Sequence, residues 1–191
     1  MKRIVPGIPD GRKERNCMNK LHVYTGDGKG KTTAAFGLAL RAVGHGRRVL
    51  IAQFMKDGRS GEMAALRSFS NASVFPAPPM EGFFSSKTPE EQQRIKAEIE
   101  QYVSELETLI VQTRPQMIIL DEITIALCLH TVSRQSAERL RDAGLACGEV
   151  VTTGRDAPDW LIQRADYVSS ILVQKHPYDT EGLPAREGVE W

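Results

Sequence analysis

A chain of 191 residues that is 41% hydrophobic and 26% charged has the make-up of one ordinary globular domain, able to bury roughly two-thirds of its unfolded surface. Its net charge of +1 excludes a bulk field that would gather nucleic acid or an anionic membrane. The sequence shows no apolar run of spanning length and no apolar signal-peptide core, and its three distant cysteines, Cys17, Cys128 and Cys147, suit neither a disulfide framework nor a zinc site. The expectation is a cytoplasmic protein whose cysteines are small reduced side chains, with Cys128 and Cys147 in apolar surroundings.

In chain order, residues 1–18 (MKRIVPGIPDGRKERNCM) are basic and broken by glycine and proline, and read as a flexible arm ahead of a domain at 19–191. KLHVYT (20–25) predicts a strand, and KTTAAFGLALRAVGHG (31–46) a helix stopped by glycines. RRVLIAQF (47–54) is apolar on both faces, as a buried parallel strand must be. GEMAALRSF (61–69) suits a short helix, and ASVFPA (72–77) a strand cut off by its proline. Thr88 can cap a long helix with Pro89 at its first position and Glu90 and Glu91 at the positive end of the dipole. Ile95, Ile99, Tyr102, Val103, Leu106, Leu109 and Ile110 form its core stripe. QMIILDE (116–122) predicts a buried strand ending in two carboxylates. A helix around Gln135–Ala143, a strand at 149–153, a helix from Pro158 and a strand at 167–174 complete the series. This alternation predicts an α/β fold, a mostly parallel sheet with helices on both faces and ligands at the carboxyl ends of its strands.

One of those ends carries TGDGKGKTT, Thr25 to Thr33. Aligned on Gly30-Lys31-Thr32, the phosphate-loop pattern G-x-x-x-x-G-K-[ST] has Thr25 at its first position and Gly26 one residue later. Gly26, Gly28 and Gly30 permit backbone N–H groups to surround phosphate oxygens. The helix beginning near Lys31 adds its positive end, Lys31 a mobile charge and Thr32 a hydroxyl for a bound Mg²⁺. Lys29 is a second cation for the outer phosphate. Asp121 or Glu122, at the end of a buried strand, is placed to hold the metal directly or through water. A nucleoside triphosphate with Mg²⁺ follows from this pattern, on a single P-loop NTPase-type domain of the RecA-like kind. The loop does not by itself choose between phosphoryl transfer and use of the triphosphate as a leaving group.

Four segments together resemble the P-loop family of ATP:corrinoid adenosyltransferases: YTGDGKGKTTAAFGLALRAVGHGRRVLIAQFMK (24–56), IILDEI (118–123), TTGRDAPDWLIQRADYVSSI (152–171) and KHPYDTEGLPAREGVEW (175–191). The resemblance implies attack on the 5′ carbon of ATP by Co(I) of a reduced corrinoid, in adenosylcobalamin synthesis or salvage, with triphosphate leaving. Lys31 and Glu122 would then be the catalytic pair, and Thr32 and Glu122 the contacts to Mg²⁺ or Mn²⁺, ahead of Asp121. Gly26, Asp27, Gly28, Lys29, Gly30, Lys31, Thr32 and Thr33 would face the triphosphate, and Arg155 the corrinoid or the nucleotide. Residues 76–88 align with the family's loop under the corrin ring, where aromatic side chains displace the lower cobalt ligand. Phe83 matches the first such aromatic; the second falls near Ser85, where only Phe84 could substitute. The family also implies a reductase or reduced flavoprotein as electron donor, no nucleic acid or membrane partner, and leaves room for a homodimer. His45 and His176 read as structural, and His22 and His130 carry no signal. Two readings compete, a phosphoryl-transfer ATPase or small-molecule kinase and an ATP-dependent corrinoid carrier.

Overall fold

The computed structural model describes residues 19–56, 60–76, 78 and 82–190; the expected arm over 1–18 lies outside them. Six runs rich in β-branched and aliphatic residues pair as strands: β1 (Leu21–Thr25), β2 (Val49–Gln53), β3 (Ala72–Phe75), β4 (Met117–Asp121), β5 (Glu149–Thr153) and β6 (Tyr167–Ser170). Their order is β3-β2-β4-β5-β1-β6, and every pairing is parallel. The connection from β1 to β2 passes over β5 and β4, so the carboxyl ends of β1, β4 and β5 open onto one crevice, as expected where a parallel sheet changes direction.

Both faces of the inner strands are covered, which is why β2 and β4 are buried at all five of their positions. Side chains alternate between two cores. Leu50, Ala52, Ile118, Leu120 and Val150 pack toward α3 (Pro89–Thr113) and α5 (Arg134–Leu145), and Val49, Ile51, Met117, Ile119 and Val151 toward α1 (Lys31–Gly44) and α2 (Gly61–Leu66). The predicted stripe of α3 forms the first core, from Ile95 to Ile110. Thr88 starts that helix with a full capping box, its Oγ1 accepting from the Glu91 N–H while the Glu91 carboxylate accepts from the Thr88 N–H.

The edges differ from expectation. β6 ends at Ser170, four residues short of the predicted 174, because β1, its one partner among the described residues, turns into the glycine loop after Thr25 and the ladder ends there. β3 stops at Phe75, before Pro76. Two short helices were not anticipated. α4 (Ile123–Cys128) follows β4 with one residue between them, and its β-branched start reads locally as more strand. α7 (Pro177–Glu181) is a single turn opened by His176, whose Nδ1 accepts from the Tyr178 N–H. α6 (Asp159–Arg164) lies where Pro158 predicted a helix. Cys128 is exposed rather than in apolar surroundings, since α4 lies at the rim of the sheet, and Cys147 is half-buried.

Candidate active site

The glycine loop turns from β1 into α1 against the chain leaving β6. The Gly28 N–H donates to the Ile171 carbonyl at 2.7 Å, and a Cβ on Gly28 would sit 2.7 Å from that oxygen and 2.8 Å from the Ile171 side chain. Any larger residue would push the loop off β6. The first N–H groups of α1, from Lys31 onward, have no intrahelical acceptor and stand at the positive end of the dipole. Lys31 is buried and its ammonium donates to the Gly28 carbonyl at 2.8 Å, folding back over the cradle. Burial pushes its pKa down, Arg155 and Lys56 add to that, and Glu122 and Asp27 oppose it.

Across the crevice, β4 delivers two carboxylates to different places. Asp121 is fully buried. Its Oδ1 accepts from Thr32 at 2.9 Å and Thr153 at 2.6 Å, and its Oδ2 from Gln53 and Lys56, both at 2.9 Å. Glu122 takes left-handed backbone angles, φ 60°, an unfavourable state for a side chain with a Cβ that costs about 1–3 kcal/mol. Its N–H is held by Thr153 Oγ1 at 2.9 Å. Gly154, at φ +134°, lets β5 end against this turn, because a Cβ there would collide with the Thr124 hydroxyl. The strain thus holds the Glu122 carboxylate in the lining of the cleft.

Lys56 joins the halves. Its ammonium lies 2.8 Å from Thr32 Oγ1, 2.9 Å from Asp121 Oδ2 and 3.3 Å from Glu122 Oε1. Burial works to lower its pKa, but Asp121 and Glu122 outweigh it and raise the value. A cleft of about 800 Å³ runs along this arrangement, lined by Asp27 to Thr33, Gln53, Lys56, Glu62, Glu122, Arg155 and His176. Val189 and Glu190 of the C-terminal tail close one side of it. Glu190 takes Lys29 at 2.9 Å and is also bound by Arg186 through its N–H at 2.8 Å and its guanidinium at 3.3 Å. The Arg186 side-chain contact, then Lys29, hold its carboxyl down at about 2.

The residues expected around a triphosphate, Asp27 to Thr33, Glu122 and Arg155, therefore share one cleft, with Arg155 3.8 Å from Asp27. Gly26 lies beneath it, with Ile171 against its backbone. Phe83 is 81% exposed and is not part of the cleft lining, whereas Phe84 is core, 7% exposed. Phe84 starts a 3₁₀ turn at Phe84–Ser86 and packs under α3, which leaves it unable to serve as a second ring-facing aromatic. Part of the surrounding loop, residues 77 and 79–81, lies outside the described residues.

Sequence reasoning missed Lys56, Gln53, Thr153 and Glu190. Lys56 had a usable signal, a lone cation just beyond a buried, largely apolar strand at the ligand-binding edge of the sheet. Gln53 and Thr153 had none, because both are polar residues inside strands. Glu190 reaches the loop through tertiary folding alone.

Among the described residues no cluster of three His, Cys, Asp or Glu side chains could hold a metal alone. The donors that do converge, Thr32 Oγ1 and the Asp121 and Glu122 carboxylates, are all oxygens, the set a hard cation shared with phosphate requires. Gln53 Oε1 is buried beside them without a hydrogen-bond partner. The residues present fit a divalent ion.

The fold resembles that of a KaiC-like protein from Pyrococcus horikoshii, with a TM-score of 0.52 at 14% identity, covering 83% of this chain and 74% of the other. A corrinoid adenosyltransferase of Pseudomonas aeruginosa is 34% identical over 186 residues, 96% of this chain and 88% of its own length. One from Sinorhizobium is 36% identical over 174 residues, 88% of this chain and 78% of its own. The corrinoid adenosyltransferase CobA of Salmonella typhimurium is 30% identical across 99% of this chain and 92% of its own. The family model for ATP:corrinoid adenosyltransferase BtuR/CobO/CobP matches residues 18–191, and the chain belongs to that family.

Proposed function

We propose that this protein transfers the 5′-deoxyadenosyl group of ATP to the Co(I) centre of a reduced corrinoid, in adenosylcobalamin synthesis or salvage. The observation that carries this reading is the convergence of the phosphate loop, Asp27 to Thr33, and the Glu122 carboxylate in one cleft, with Asp121 buried behind them, in a chain matched to the family over residues 18–191. Co(I) supplies the electron pair for the new Co–C5′ bond, the C5′–O bond breaks, and the triphosphate departs with its electrons. The loop N–H groups, Lys31 and Lys29 stabilise charge gathering on that leaving group, and the fixed cleft aligns carbon and cobalt. No side chain need act as nucleophile or general base.

Thr32 and Glu122 would hold Mg²⁺ or Mn²⁺, which would neutralise the departing phosphates. Asp121 serves them indirectly, since its four hydrogen bonds fix Thr32, Thr153, Gln53 and Lys56. Arg155 faces the nucleotide or corrinoid, and Phe83, exposed on a loop, is free to press beneath a corrin ring and displace its lower ligand. Residues 19–191 form the catalytic domain in this reading and 1–18 an arm. Electrons come from a reductase or reduced flavoprotein in the cytoplasm, with no nucleic acid or membrane partner, and a homodimer is compatible with it. No helix among the described residues is long and apolar enough to cross a membrane.

Phosphoryl transfer and ATP-dependent corrinoid carriage are not favoured by the family relationship. The test is anaerobic incubation with chemically reduced cobalamin and MgATP. A light-sensitive alkylcobalamin spectrum growing with turnover is expected. An unchanged corrin spectrum, with ATP consumed at the same rate when corrinoid is omitted, would refute the proposal.

A further inference from the structure

Lys56 occupies the spot where the oxygens of the crevice converge. Three side chains, Thr32 of α1, Asp121 of β4 and Glu122 at the junction of β4 and α4, present oxygens to one ammonium nitrogen at 2.8, 2.9 and 3.3 Å. No other cation among the described residues is paired with Asp121 or Glu122 at salt-bridge distance. The ammonium is held by these three oxygens yet is attached to a flexible four-carbon stem whose side chain keeps 33% of its surface open to the cleft. A divalent ion drawing on Thr32 Oγ1 and the Glu122 carboxylate would have to share the ammonium's own partners. Two cations on one set of oxygens repel strongly where Asp121 is sealed from solvent. Asp121 has no spare capacity either, with both oxygens already taking two donors.

We infer that Lys56 is a built-in stand-in for the metal: it holds Thr32, Asp121 and Glu122 assembled before nucleotide arrives, and is expelled toward the phosphates when the divalent ion takes its place. The inference rests on the reading of Thr32 and Glu122 as metal contacts. Lys56 is thus a positioning residue that keeps two neighbouring carboxylates compensated in the empty cleft and sets the threshold for metal entry. An ammonium expelled into a cleft filled by triphosphate also finds new anionic partners there, so the exchange conserves charge pairing on both sides.

Mn²⁺ serves as the probe, titrated by electron paramagnetic resonance into the full chain saturated with ATP, without corrinoid. Lys56→Met should bind Mn²⁺ more tightly than the parent by about tenfold or more, the scale of coupling between ligands that exclude each other. Lys56→Gln, which retains a polar end, should shift affinity in the same direction and serves if the methionine variant does not fold. Thermal unfolding gives a second reading: the Lys56 variants should lose stability in metal-free buffer and recover it with Mn²⁺ and ATP. Unchanged or weaker Mn²⁺ binding, or an equal stability loss in both buffers, would overturn the exchange and leave Lys56 a fixed counter-ion. Glu122→Gln separates the two layers. If it leaves Mn²⁺ affinity unmoved, the metal reading fails and the exchange with it; if it weakens Mn²⁺ while Lys56→Met changes nothing, only the exchange fails.

Discussion

Two lysine–carboxylate contacts flank the same loop, and their surroundings give them different work. Lys56 meets Asp121, a side chain with no exposed surface whose oxygens take four donors. Lys29 meets Glu190 at the rim, with side chains 46% and 23% exposed. A buried carboxylate stripped of its partners has no water to replace them, whereas a rim pair exchanges its partner for solvent at little cost. The inner contact is therefore part of the frame of the empty site, given up only to another cation that takes the ammonium's place. The rim contact is one that an incoming triphosphate can displace.

The inner region should give the largest effects. Lys31→Ala removes the cation folded over the cradle and should lower kcat/KM by ~10²–10³-fold, the range for losing one charge-stabilising donor, with little change in folding stability. Steady-state kinetics beside thermal unfolding check this, and a comparable loss of stability would mean that Lys31 mainly supports the Gly28 carbonyl. Asp121→Ala abandons Lys56, Gln53, Thr32 and Thr153 together and should destabilise the protein by about 3 kcal/mol in denaturant titration. A loss no greater than that of a surface substitution would erase the contrast between frame and rim. Gly28→Ala drives a Cβ into the Ile171 carbonyl, at about 1–3 kcal/mol of overpacking, and should weaken ATP binding as the loop moves off β6.

Rim substitutions should be mild and selective. Glu190→Gln frees Lys29 for phosphate and should tighten ATP binding a few-fold in calorimetry, with unfolding essentially unchanged. The sign with pH is set by the carboxyl value of about 2. A lowered carboxylate pKa contributes stability that is complete above its unfolded value and lost as pH falls toward the folded one, so the Glu190 latch should persist from about pH 5 to pH 8 and open only in acid. The Glu190→Gln effect on ATP affinity should accordingly be flat across that range. Phe83→Ala, at an 81% exposed position, should leave stability and turnover with prereduced Co(I) unaltered and slow turnover that starts from Co(II). Equal slowing with both would remove its proposed ligand-displacing role.

Inner and rim regions also differ in how far the sequence announces them. The phosphate loop and the Asp121-Glu122 strand end are continuous stretches whose chemistry follows from residue type and spacing, and so is α3, with its Thr88 cap and apolar stripe. A both-sides-apolar run such as residues 49–52 declares a buried parallel strand, though the strand order rests on pairings between distant segments. Gln53 and Thr153 look like ordinary strand residues until β2, β4 and β5 lie side by side and place them on Asp121. Glu190 meets Lys29 only because the tail returns over the loop, 161 residues later in sequence. Phe83 and Phe84 are alike as letters, and the 3₁₀ turn alone sends one outward and the other into the core.

In the proposed reaction the cradle holds a leaving group and is not the seat of attack on phosphorus. ATP carrying ¹⁸O in the bridge between C5′ and the α-phosphorus decides this most directly, turned over anaerobically with reduced cobalamin and analysed by mass spectrometry of the products. Cleavage of the C5′–O bond predicts that the label leaves in inorganic triphosphate, one labelled triphosphate for each adenosylated corrinoid. Label retained in ADP or AMP, with phosphate or diphosphate as the other product, would contradict it.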